Sequence, residues 1–178
     1  MMGSIAVFAI RGVQFLVAVI ILGLSVNLVV EHKWGSLPAT LGFTVFVSGI
    51  SLVAVLAGFA SIWVEKLQGK IGMIIDGVVA LINVAGGALI LIKLKDIDCK
   101  DESDTYRYNV LQENDLLNGG CIKVGKDIAC LNMVEESRRS RLNGRCKQSQ
   151  ADAAFMFILV AALVGSATLA FLRLKRGH

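Results

Sequence analysis

The side chains of this chain that could do chemistry are few. Four cysteines, Cys99, Cys121, Cys130 and Cys146, fall in one polar segment. An even set gathered in a polar loop is the usage of an oxidising compartment. Three pairings are open. The preferred one joins Cys99 to Cys146, because Cys99 follows the third apolar run and Cys146 precedes the fourth, and antiparallel neighbours would bring the two together. Cys121 and Cys130 would then close a small inner loop. In the chain-entropy description such bridges stabilise by about 4 and 3 kcal/mol respectively. The alternative chemistry is thiol–disulfide exchange, which wants a reactive Cys-x-x-Cys pair. That spacing does not occur in this chain.

The second candidate is an ionisable pair inside apolar sequence. Asp76 stands about 9 Å into the third apolar run at 1.5 Å per residue. An acid at that depth is a candidate functional group by default. Arg11 stands at a similar depth from the same side, and a pair would spare either charge from isolation in lipid. Two other readings stay open. Arg11 could snorkel to the headgroups while Asp76 faces a wet entrance lined by Lys70. An ion or proton pathway through Asp76 would need a relay of further acids or histidines, and none accompanies it. His32 and His178 are isolated, so no metal or other cofactor is expected. Neither a nucleophile elbow, a phosphate-binding glycine loop nor a zinc signature is present, and no enzyme is expected.

These residues must be positioned by four apolar runs: 8–30, 41–64, 71–92 and 153–172. Each reaches the roughly 20 residues a helix needs to cross a hydrocarbon core of about 30 Å. They are apolar all round, so lipid or protein surrounds them. Helices follow, because backbone polar groups in lipid must be satisfied within the segment. The expected fold is an all-α antiparallel four-helix transmembrane bundle, with a large loop, 93–152, between the third and fourth helices. Within that loop, 109–117 is expected to form a short helix ended by Asn118-Gly119-Gly120, and 127–142 another stopped by Gly144. The apolar run at the N-terminus is too long for a signal-peptide core and lacks a cleavage site. The Met-Gly start lacks Ser or Thr at the position where myristoylation would want it.

Both termini then share one face. Arg11, Lys66, Lys70, Arg173, Lys175 and Arg176 lie at that face, which the positive-inside rule makes cytoplasmic. The loop would be extracellular, which agrees with its cysteines. It offers no Asn-x-Ser/Thr acceptor for glycosylation. The net charge of +4 sits at membrane ends or in a loop of mixed sign, so it carries no nucleic-acid signal. Membrane lipids are the expected partners, and the basic tail could touch anionic ones.

On the third helix Gly72, Asp76, Ala80, Asn83 and Gly87 fall on one face. Gly58 on the second helix and Gly165 on the fourth belong to similar small-residue patterns, which let helices approach closely. Bundle packing is the plain reading. The sharper one is self-association, or contact with other membrane proteins, through an exposed small face.

Three patches resemble a known family. The first runs from Arg11-Gly-Val-Gln14-Phe15 to Leu22-Gly-Leu-Ser25. The second is Leu116-Leu-Asn-Gly-Gly-Cys121, and the third Arg145-Cys-Lys-Gln148-Ser-Gln-Ala-Asp-Ala-Ala-Phe155. The claudin type puts its cysteine pair after the first helix, and tetraspanins carry Cys-Cys-Gly where this chain has Gly119-Gly120-Cys121. The patches resemble the MARVEL-domain class, specifically the fungal non-classical export proteins. That resemblance implies one four-helix domain over 1–178 in the plasma membrane, organising lateral membrane domains or trafficking, with no active-site residues. The alternatives are a small transporter or channel component using Asp76 and Asn83, and a membrane thiol oxidoreductase.

Overall fold

The computed structural model describes residues 2–61, 70–125, 127–134 and 136–176. The turn around Lys66, the 62–64 end of the second expected span and the side chains of Lys70, Arg173 and Arg176 lie outside the described residues.

Four long helices form the bundle: α1 (Met2–Val30), α2 (Ala39–Ala60), α3 (Lys70–Lys93) and α6 (Glu136–Arg176). All four are long and apolar enough to cross a membrane. They pack in the cyclic order α1, α2, α3, α6, each against its two neighbours. The inward stripe is apolar at Val17, Ile21 and Leu28 on α1, Leu41, Val47 and Val55 on α2, Val79 and Ile90 on α3, and Met156, Leu159 and Leu163 on α6. The outward faces carry large apolar side chains such as Leu16, Phe46, Val53 and Leu81. A water-soluble bundle would put charges there; lipid is the solvent this surface suits.

The fourth helix differs from expectation. It has 41 residues, so it runs about 60 Å at 1.5 Å per residue, about twice the hydrocarbon core. Its first seventeen residues belong to the segment expected as the loop 93–152. Gly144 does not stop it. A glycine inside a helix costs about 1 kcal/mol, and the burial of Leu142, Asn143, Arg145 and Cys146 around it holds the helix through that position.

The rest of the loop segment folds against this projecting helix. A single turn, α4 (Asp104–Tyr106), is capped by Ser103 and runs into a π-helical turn, Arg107–Leu111. The helix expected over 109–117 therefore ends early. Asn114 takes the chain out of it by accepting from the Leu116 N–H (2.9 Å) while its amide reaches the Lys93 carbonyl (2.6 Å). The helix expected from Asp127 is instead a β-hairpin. Strands β1 (Cys121–Val124) and β2 (Asp127–Cys130) pair antiparallel, with Cys121 opposite Cys130 and Gly125 at positive φ in the turn. Only after Cys130 does the chain turn helical, through α5 (Leu131–Val134) into α6.

The hairpin side docks on the α1–α2 connection through close backbone contacts. The Lys33 N–H donates to the Gly119 carbonyl at 3.0 Å. Gly120 has φ +98°, and a Cβ there would stand 1.7 Å from the Trp34 carbonyl oxygen. Both the torsion and the space require glycine. Gly120→Ala is therefore expected to cost on the order of 2–4 kcal/mol. It should lower the thermal midpoint in detergent and open the loop to protease. An unchanged midpoint with an intact loop would contradict this docking.

Candidate functional site

The polar side chains buried in the bundle lie in three layers. The layer nearest the termini is built on Arg11. Its two terminal nitrogens meet Asp76 Oδ1 and Oδ2 at 2.8 and 2.9 Å, a bidentate pair between α1 and α3. The same Nη1 donates to Gln14 Oε1 at 2.9 Å, one turn along α1. The Gln14 amide then donates to the Ala162 carbonyl and to Ser166 Oγ on α6, at 2.9 and 3.1 Å. Ser166 Oγ closes the ring on Asp76 Oδ2 at 2.6 Å. Arg11, Gln14 and Asp76 are all buried.

The second helix joins by absence of a side chain. A Cβ at Gly58 would stand 2.8 Å from the Arg11 guanidinium carbon. Gly58 thus makes the room in which the guanidinium lies flat against α2. All four helices meet at this one charge. A cavity of about 10 Å³ beside it is lined by Arg11, Ala54, Gly58, Gly72 and Asp76. On the other side of Asp76, a groove of about 270 Å³ between α3 and α6 is lined by Met73, Ala80, Leu163 and Phe171 among others. The snorkelling geometry is not found: Arg11 turns into the bundle rather than out to the headgroups.

The middle layer is smaller. The Asn83 amide donates to Ser51 Oγ at 2.7 Å and to the Val79 carbonyl at 2.8 Å, tying α3 to α2. The third layer, at the loop end, joins Ser25 of α1, Ser48 of α2 and Asp152 of α6. Beside it the Gln148 amide reaches the Leu24 carbonyl at 2.9 Å.

Of the other small residues, Gly87 is a contact position: a Cβ there would meet Phe157 at 3.0 Å. Gly165 is not. An added Cβ meets nothing within 4 Å, so close helix approach does not depend on it. The expectation of a packing role at Gly165 rested on spacing alone, which cannot tell an inward small residue from an outward one.

In the loop segment Cys99 is bonded to Cys146, joining the exit of α3 to α6. Cys121 is bonded to Cys130 across the hairpin. Arg145 is 2% exposed and donates to the Leu116 carbonyl at 2.8 Å and to Glu31 at 3.3 Å. It pins the loop to α6 and α6 to the end of α1. His32 lies in the α1–α2 connection against the Ser36 carbonyl. Burial lowers its pKa from the ordinary imidazole value, and that hydrogen bond opposes the shift. Among the described residues no group of three or more His, Cys, Asp or Glu side chains gathers into a metal site.

Comparison with protein families matches residues 4–169 to MARVEL, the membrane-associating domain. The chain belongs to the MARVEL family. It is a membrane-associated multi-pass protein by that membership and by its four apolar helices. No curated protein and no solved structure matches it. Within this MARVEL domain the three sequence patches acquire a mechanical sense. The first supplies Arg11, Gln14 and Ser25, the second Gly119 and Gly120, and the third Arg145, Cys146, Gln148 and Asp152. Sequence reasoning missed Gln14, Ser166 and Ser51 as polar partners. The signal available for them was a hydroxyl or amide on the same helical face as an expected core residue.

Glycine-to-alanine exchanges separate the positions. Alanine normally gains about 1 kcal/mol over glycine in a helix. Gly165→Ala is expected to leave the thermal midpoint level or raise it, whereas Gly58→Ala lowers it by displacing Arg11 from Asp76. Equal midpoints for the two variants would contradict the contact at Gly58.

Proposed function

We propose that this chain is a non-catalytic organiser of the membrane plane, acting in lateral plasma-membrane domains or in membrane trafficking. The observation that supports it most is how its buried polar groups are used. Arg11, Asp76, Gln14 and Ser166 satisfy one another across the four helices. What the bundle presents to lipid is apolar, with Leu16 63% and Leu81 72% exposed. A rigid bundle with an apolar coat is suited to lateral contact with lipids and other membrane proteins. The projecting end of α6, with the disulfide-bonded loop packed on it, adds a second contact surface beyond the membrane. Self-association belongs to the same reading.

The orientation that fits this role places the termini in the cytoplasm and the loop outside, in keeping with its two disulfides. The fungal non-classical export subfamily is the branch that the three patches favour. Transport through Asp76 and Asn83 has less support. Asp76 is held by two nitrogens of Arg11 and by Ser166, which leaves it poorly placed to exchange ions.

The test is the distribution of a fluorescently tagged protein in living membranes. Patches that disperse or regroup when sphingolipid or sterol synthesis is inhibited are expected. A uniform signal unaffected by either treatment would contradict an organising role.

A further inference from the structure

Asp152 stands one residue before the fourth apolar run, and it is wholly buried. Among the described residues no cation lies within ion-pair distance of it. The elements packed around it offer little charge. The Ala39–Ala60 helix contains no ionisable residue. On α3 the charged residues are Lys70, the first residue of the helix at the far end, Asp76, also towards that end and paired with Arg11, and Lys93, which pairs with Asp115. α1 has Arg11 as its one charged residue, at the far end, and Glu31 just beyond its last turn is taken by Arg145, which lies two turns back on α6. A bare carboxylate in such surroundings is costly.

The contacts of Asp152 form a chain. Oδ2 lies 2.7 Å from Ser25 Oγ. Ser25 Oγ lies 3.0 Å from Ser48 Oγ, with either able to donate. Ser48 Oγ donates to the Thr44 carbonyl at 2.5 Å. Counting hydrogens decides between two states. If Asp152 is ionised, two hydroxyl hydrogens must serve three contacts. Ser25 donates to the carboxylate, and Ser48 can then serve Ser25 or the Thr44 carbonyl but not both. If Asp152 carries a proton, three hydrogens serve three contacts in one direction: Asp152 to Ser25, Ser25 to Ser48, Ser48 to the Thr44 carbonyl. The remaining oxygen, Oδ1, has no partner among the described residues. Leaving a neutral carbonyl oxygen unpaired is far less costly than leaving half a charge so.

We propose that Asp152 is a proton-binding site, a neutral carboxylic acid at the loop end of the bundle that donates into the hydroxyls of Ser25 and Ser48. Its proton ties α6 to α1 and α2. Loss of the proton reverses the donor order and leaves one of the three contacts without a hydrogen. The grip of α6 at this end therefore weakens as pH rises. The sign follows from linkage: the folded chain holds a proton that the unfolded chain gives up at neutral pH, so stability falls with rising pH.

The test is infrared difference spectroscopy of the full chain in lipid vesicles at pH 5.5, where an ordinary aspartate is ionised, wild type minus Asp152→Asn. Asparagine keeps the shape and can donate to Ser25, so this variant should fold with a thermal midpoint close to wild type. The difference spectrum should contain the carbonyl stretch of a protonated carboxylic acid, and Ser25→Ala should shift that band to higher frequency by removing its acceptor. The wild-type midpoint should fall from pH 4.5 to pH 7.5 more steeply than that of Asp152→Asn, and level off above that range. Absence of the band in folded protein would overturn the proposal. So would an Asp152→Asn midpoint as low as that of Asp152→Ala, which would mean that the bundle requires the charge.

Discussion

A guanidinium inside the hydrocarbon region constrains the rest of this bundle. A charge there is tolerated only when paired and hydrogen-bonded. Arg11 meets that condition through contributions from every helix: Asp76 from α3, Gln14 from its own turn of α1, Ser166 from α6, and from α2 a glycine that leaves the space empty. Without a hydrophobic drive between helices in lipid, packing and polar contacts must fix which helices are neighbours. One bidentate pair with its two relays specifies the cyclic order and the depth of all four at once.

The layers above it repeat the device with less charge. Asn83 ties α3 to α2 through Ser51, and Asp152 ties α6 to α1 and α2 through two serines. Beyond the membrane α6 continues as a spine. Arg145 and Cys146 fasten the loop segment to it, and Gly120 lets that segment touch the α1–α2 connection backbone to backbone. The protein is thus held by cross-links at several heights while its outer surface stays apolar. That division of labour, polar inside and apolar outside, is what a MARVEL membrane-associating domain acting laterally would need.

The spans were readable because length and hydropathy leave little else for such runs to be. Arg11 and Asp76 were readable as partners because depth along a helix can be counted from sequence. What Gly58 does was hidden: spacing marks it as small, but only the assembled bundle shows what the smallness accommodates. The same limit made Gly165 look equivalent. Asp152 was concealed by its place at the end of a polar run, where it reads as loop. The extended α6 was concealed by Gly144 and by charges that suggested solvent on every side. The hairpin carried a weak signal, since Gly125 lies in a short turn and its register is set by a disulfide rather than by alternating apolar residues.

The dependence of the bundle on one ion pair is tested most directly by a double-mutant cycle in lipid or detergent with Arg11→Leu, Asp76→Leu and the two together. Each single change strands a buried charge and should cost about 3–5 kcal/mol. The double change removes both charges and should recover much of that loss, giving a strongly favourable coupling between the positions. Losses that simply add in the double variant would contradict a bundle organised around the Arg11–Asp76 pair.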